Sequence, residues 1–241
     1  MKELMISPGK RLEACAGFVR RGSVAADIGT DHAYLPVWLI QQGICPKVYA
    51  SDINEEPIRL ARKNIEFYGI SDKVEAFTSD GLQAVPKEMV TDVIIAGMGG
   101  DNIVTILNEA PWLKNETYRL ILQPMSHTER LREYLFSNGF DIIAEKAVCE
   151  AGRLYTVICA AFTGSGVIYD DFDLYAGKHD HSDPVAAALL GKQAGILRSM
   201  AAGYQAKGAP EQAMKYAKLA ERIQSIIQNQ KPCEEENGWQ E

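Results

Sequence analysis

The chain has 241 residues, 46% of them hydrophobic and 24% charged, with a formal net charge of −7. That mix belongs to a folded protein able to bury the core of one large domain, or a domain and an appendage, and it excludes disordered, collagen-like and repeat-built chains. No apolar run approaches the ~18 residues of a membrane span, and Lys10, Arg11, Arg20 and Arg21 interrupt the N-terminal segment, so a cytoplasmic protein is expected.

A leading helix is predicted over 8–19, with Ser7 as N-cap and Pro8 in its first turn. Apolar runs at 23–28, 47–53, 90–96 and 118–123, with a weaker one at 73–78, then alternate with helix-like segments. The helical spacing is clearest at 57–68 and 127–138, the second closed by Gly139. Strand and helix in alternation predict βαβ units, hence a doubly wound, mostly parallel α/β sheet of the Rossmann type. Two further strand-like runs, 140–148 and 155–162, flank the turn-prone Glu150-Ala151-Gly152-Arg153 and predict an antiparallel edge hairpin, completing a seven-stranded sheet.

Residues 164–183, rich in glycine and aspartate and without periodicity, read as a linker. Beyond it Asp183-Pro184 signals a helix start. Leu190, Ala194, Leu197, Ala201 and Tyr204, and after Gly208-Ala209-Pro210 also Tyr216, Leu219, Ile223 and Ile226, recur at intervals of three and four. The expectation is a domain over 1–163, a coiled-coil-like helical hairpin over 184–231, and a frayed tail over 232–241. Charge follows these divisions: residues 1–25 hold five Lys/Arg against two Asp/Glu, 184–231 seven against two, and the middle of the chain is acidic. Two basic ends around an acidic body permit a local footprint for a polyanion, although a solvated helical surface would carry the same charges.

Ligands of doubly wound sheets bind at the carboxyl ends of the strands, and this chain places an aspartate at three of them. Asp27 and Asp31 flank Gly29 where the first strand turns into a helix, Asp52 ends the second strand, and Asp80, followed by Gly81, ends the third. The full G-x-G-x-x-G fingerprint is absent, and an acidic pair beside a helix N-terminus repels a pyrophosphate, which disfavours NAD, FAD and ATP. The same acids suit S-adenosyl-L-methionine, which carries an ammonium and a sulfonium; Asp52 is placed for ribose hydroxyls and Asp80 for an adenine amino group. Gly97-Met98-Gly99-Gly100 after the fourth strand predicts a loop lying against a ligand, and Gln123-Pro124 after the fifth offers an amide either for a base edge or as a plain strand cap. His32 beside Tyr34 raises general-base and stacking roles, against the plainer reading of a structural histidine. The five cysteines are scattered without a C-x-x-C pair, and His179-Asp180-His181 has no further spaced ligand, so neither a disulfide framework nor a bound metal is expected.

These residues in order (Asp27-Ile28-Gly29-Thr30-Asp31-His32-Ala33-Tyr34-Leu35-Pro36, Gly97-Met98-Gly99-Gly100, Leu122-Gln123-Pro124), with Lys10-Arg11-Leu12, Asp80-Gly81-Leu82 and the turn after Glu150, resemble the bacterial tRNA (adenine-N1)-methyltransferases that modify adenine 22. The resemblance covers residues 8 to about 160. It implies a class I methyltransferase domain followed by a helical domain, and a cofactor site on Asp27, Gly29, Asp31, Asp52, Asp80, Gly81, Gly97 and Met98. It further implies a target-base pocket lined by Asp31, His32, Tyr34, Gly99, Gly100 and Gln123, with tRNA as partner. Arg20, Arg21, Lys10 and the hairpin cations Lys192, Arg198, Lys207, Lys215, Lys218 and Arg222 are then expected to grip phosphates. A methyltransferase for a small molecule or protein side chain, and a catalytically silent RNA-binding module, remain alternatives. No feature fixes the oligomeric state, and a monomer is the expectation.

Overall fold

The computed structural model describes residues 6–228; the expected tail over 232–241 and Cys233 lie outside them. The described chain divides into two compact units between His179 and Asp180.

The first unit is built on seven strands: β1 (Ala25–Ile28), β2 (Val48–Asp52), β3 (Val74–Thr78), β4 (Asp92–Met98), β5 (Arg119–Pro124), β6 (Phe140–Glu150) and β7 (Arg153–Phe162). Their order across the sheet is β3-β2-β1-β4-β5-β7-β6, with β7 antiparallel to both neighbours and β1 to β5 parallel. The parallel centre follows from composition: β1 is buried at all four residues, and Val93, Ile94 and Ile95 of β4 are fully buried, as strands covered on both faces must be. Helices α1 (Lys10–Ala16), α2 (Tyr34–Gln41) and α3 (Glu55–Phe67) contribute Cys15, Leu39 and Ala61 to a core on one face. On the other face α4 (Gly100–Asn108) and α5 (Thr128–Ser137) contribute Ile103, Leu107, Leu131 and Leu135. The chain reverses its winding between β3 and β4, which leaves the crevice at the carboxyl ends of β1 and β4 open to a ligand.

Two expectations are corrected. The leading helix starts at Lys10, not Pro8, because Gly9 holds a left-handed φ of +90°, and Ser7 Oγ donates to Glu13 at 3.1 Å instead of capping the helix. The stretch 164–183 is not a plain linker: it contains α6 (Asp171–Ala176), started by a capping box between Asp170 and Asp173. This segment packs on the sheet unit. Tyr169 stacks on Phe136, and the buried Arg132, paired with buried Glu145 at 2.8 Å, donates to the Leu174 carbonyl at 2.6 Å. Three of the segment's five aspartates, Asp170, Asp171 and Asp173, form the start of that helix, and six residues are too few for a periodic signal.

The second unit is an antiparallel pair, α7 (Pro184–Ala206) and α8 (Pro210–Gln228). Asp183 caps α7 by accepting the Val185 N–H at 2.9 Å. Leu190, Ala194, Leu197 and Ala201 of α7 and Leu219 and Ile223 of α8 are buried, as their spacing predicts, and Tyr204 stacks on Tyr216 with centroids 5.4 Å apart. No helix among the described residues is long and apolar enough to cross a membrane.

Candidate functional site

The crevice is shaped by the turn from β1 into α2. Gly29 takes φ +76°, and its N–H and that of Thr30 both donate to the Ser51 carbonyl at 2.8 Å, tying the turn to β2. Only glycine adopts this φ without strain. The turn closes on Ala33, also left-handed at φ +56°, and the Asn64 amide donates to the His32 carbonyl at 2.8 Å from α3. Asp31, His32 and Tyr34 are thereby presented on one lip: the rings of His32 and Tyr34 stack 5.2 Å apart at 19°, and His32 Nε2 lies 3.4 Å from Asp31.

Two cavities share Gly29. One, of about 360 Å³, is lined by Arg11, Asp27, Thr30, Asp31, Tyr34 and Gly97 among others. The second, of about 380 Å³, is lined by Asp52, Ser79, Asp80, Gly81, Met98 and Ile106 among others. The strand-end residues picked from sequence are thus divided between two halves of one crevice, with Met98 on the wall beside Gly29.

The carboxylates differ sharply in environment. Asp27 is buried and its pKa rises to about 6; burial is the main cause, partly offset by a hydrogen bond from Thr30 and by the Arg11 charge. Asp31 is exposed on the lip. Asp52 accepts the Asn54 N–H at 2.8 Å, so one of its oxygens also organises the start of α3.

Gln123 differs from expectation. It is fully buried and bonded at both ends: its oxygen accepts from Arg11 Nη1 at 2.6 Å and from the Gly97 N–H at 3.1 Å, while its nitrogen donates to the Pro124 carbonyl at 2.8 Å. Such a side chain braces the crevice and has no edge left for a base. Gly100 likewise serves packing: it is the first residue of α4, and a Cβ there would overlap the His127 carbonyl oxygen and stand 2.8 Å from that of Ser126. Gly97, at φ +83°, is exposed and lines the first cavity.

Arg20 is also corrected. Its guanidinium and N–H bind the fully buried Asp92, with Nε–Oδ1 and N–Oδ2 both 2.8 Å, and it donates to the carbonyls of Thr91 and Thr117. Asp92 begins β4, so this cation belongs to the end of the sheet away from the crevice. His179 turns into the sheet unit, with Nε2 3.5 Å from Glu145 and from Thr156, and among the described residues no three metal-ligating side chains converge.

Residues 9–158 match a family described as a methyltransferase domain. Over 177 residues the chain is 34% identical to the tRNA (adenine(22)-N(1))-methyltransferase of Bacillus subtilis, a match spanning 73% of this chain and 74% of that protein. It belongs to that family. The crystal structure of the B. subtilis M1A22 tRNA methyltransferase TrmK superposes with a TM-score of 0.77 at 27% identity, covering 92% of this chain and 99% of that one. The Streptococcus pneumoniae protein Sp1610, to which a tRNA (m1A22) methyltransferase activity is ascribed, was solved in complex with S-adenosyl-L-methionine. It superposes with a TM-score of 0.78 at 32% identity, covering 92% of this chain and 100% of that one. The tRNA (adenine(22)-N(1))-methyltransferase family thus supplies the frame for the crevice. Arg11, Thr30 and Asn64 line or brace that crevice without having been singled out for it in the sequence. Arg11 and Thr30 stand inside the Lys10-Arg11-Leu12 and Asp27-to-Pro36 motifs, which gave neither of them a role, and no motif marked Asn64.

Proposed function

We propose that this protein transfers a methyl group from S-adenosyl-L-methionine to N1 of an adenine in tRNA, the adenine at position 22. The observation that carries the reading is the buried Asp27 carboxylate beside a left-handed glycine, in a chain that belongs to the adenine-22 methyltransferase family.

The residues present fit the cofactor. A buried acid whose pKa is pushed up by burial is a poor anion by itself and a strong partner for a cation brought to it. Asp27 is assigned to the ammonium, Asp52 to the ribose hydroxyls, and Asp80 with Gly81 to the adenine, with Gly29, Gly97 and Met98 as the close-fitting backbone and wall. When bound, S-adenosylmethionine supplies an electrophilic methyl on a sulfonium.

The chain's own residues orient the acceptor and need not move a proton at N1. That nitrogen carries a lone pair, and its methylation yields a cationic base that keeps no surplus proton. Tyr34, exposed and backed by the His32 ring, stacks on the base once it has left its own stack, at a cost of a few kcal/mol. Asp31 on the same lip faces the positive charge that develops on the base. Alignment of this kind is worth ~7–11 kcal/mol where two reactants are held in line. Lys192, Lys207, Lys215, Lys218 and Arg222 of the helical hairpin are assigned to tRNA phosphates, which makes binding fall steeply with salt. The working form is proposed to be a monomer.

The test is nucleoside mass spectrometry of tRNA incubated with the protein and S-adenosylmethionine. One 1-methyladenosine per tRNA is expected, and none when the adenine at position 22 is replaced. Methylation that survives the replacement, or that proceeds on a small molecule without RNA, would overturn the reading.

A further inference from the structure

Two motifs far apart in the sequence, Lys10-Arg11-Leu12 and Glu150, meet at Arg11, which lines the first cavity. Glu150, the last residue of β6, accepts the Arg11 backbone N–H through Oε1 at 3.2 Å, and its Oε2 lies 3.8 Å from Arg11 Nε. The fit against the α1 start is close, since a Cβ on Gly9 would stand 2.6 Å from Glu150 Oε1. From the other side Gln123 accepts from Arg11 Nη1 at 2.6 Å. One guanidinium, a fifth exposed, is thus pinned along two edges.

Among the described residues Arg11 is the one Lys or Arg that lines this cavity, which it shares with Asp27 and Asp31. The amino-acid end of S-adenosylmethionine is a zwitterion. Two acids beside it suit the ammonium and repel the carboxylate, which therefore needs a cation of its own. A planar guanidinium held by fixed acceptors presents the fork geometry that carboxylates bind best.

We propose that Arg11 holds the α-carboxylate of the cofactor, and that Gln123 and Glu150 are positioning residues that aim its guanidinium into the cavity. The assignment rests on the S-adenosylmethionine reading of the crevice and is independent of the RNA substrate. A purely structural role, tying α1 to β5 and β6, is the competing account.

Calorimetric titration of the full chain separates the two, using S-adenosylmethionine and its decarboxylated analogue, which lacks only the carboxylate. The unaltered protein is expected to bind S-adenosylmethionine about 10- to 100-fold more tightly than the analogue, the range of one charge-assisted pair. Arg11→Gln is expected to abolish that preference while leaving analogue affinity within about threefold, and Arg11→Lys to keep part of it. Glu150→Gln is expected to shrink the preference without abolishing it; an unchanged preference removes Glu150 from the assignment. Equal weakening of both ligands in Arg11→Gln, or no preference in the unaltered protein, overturns the carboxylate role alone. Failure of the unaltered protein to bind either ligand overturns the cofactor reading as well.

Discussion

Gly29 and Met98 meet at the centre of the crevice: a Cβ on Gly29 would overlap Met98 Cε, on a backbone already at φ +76°. The methionine terminus is flexible and can swing away, but only by moving within the cleft. Gly29→Ala is therefore expected to cost about 1–2 kcal/mol of stability, chiefly from the left-handed φ, and to weaken S-adenosylmethionine binding by more than tenfold. Gly100→Ala is the contrasting case. Its obstruction is the backbone of Ser126 and His127, which cannot swing aside. It should cost about 3 kcal/mol, read as a fall in melting temperature.

On the proposed assignment of Asp27 to the cofactor ammonium, Asp27 sets the pH dependence of cofactor binding. In the ligand-free protein its pKa is raised to about 6, so the folded state holds this proton more tightly than the unfolded chain, whose value is 3.8. Its contribution favours folding at low pH and is lost as pH rises through that window. Binding of a cation runs the other way, because it requires the ionised form. S-adenosylmethionine affinity is expected to fall about tenfold per pH unit below pH 6 and to level off above it. Asp27→Asn should raise the melting temperature of the free protein at pH 7.5 and bind the cofactor weakly, with that pH dependence gone. A titration series that is flat from pH 5 to 7.5 in the unaltered protein would sink the assignment.

Arg20 and Asp92 separate a structural cation from a phosphate grip. Asp92 is wholly buried and held by the Arg20 guanidinium through two contacts and by its backbone N–H through a third, so Arg20→Ala keeps the N–H and strips the counter-charge from a buried carboxylate. The expected loss is about 3 kcal/mol in denaturant melts, with the salt slope of tRNA binding unchanged. Lys192→Ala combined with Lys218→Ala should do the reverse, lowering the slope by about 2 with little change in stability, since both side chains are exposed.

Tyr34→Ala tests the stacking lip. Loss of one base–aromatic stack is worth about 1–3 kcal/mol, so kcat/KM for tRNA is expected to fall roughly 10- to 100-fold. The cofactor dissociation constant should change by less than kcat/KM, because Tyr34 lines only the half of the crevice with Asp27 and is absent from the half with Asp52 and Asp80.

Much of this protein was legible in its sequence because the signals are local. Alternating apolar runs and three- and four-residue spacings decide which segments are strands and helices, and an aspartate at the end of an apolar strand is visible within a few residues. The seven-stranded sheet, the hairpin on its edge, the seam of α7 and α8, and Asp27, Gly29, Asp52 and Asp80 all belong to this class. Pairings between distant charges do not. Gln123 carries the same amide whether it reads a base or braces a loop, and its partner Arg11 lies 112 residues away. Arg20 looks like any exposed cation until the fold buries Asp92, 72 residues on, against it, and Glu150 finds Arg11 across 139 residues. The physical reason is that burial fixes the partner of a polar group: once water is excluded, each donor and charge must be matched by whatever the packed core brings within reach. The chain's local chemistry determined where the strand-end acids would gather, and only the packing of its layers decided which side chains line the crevice beside them.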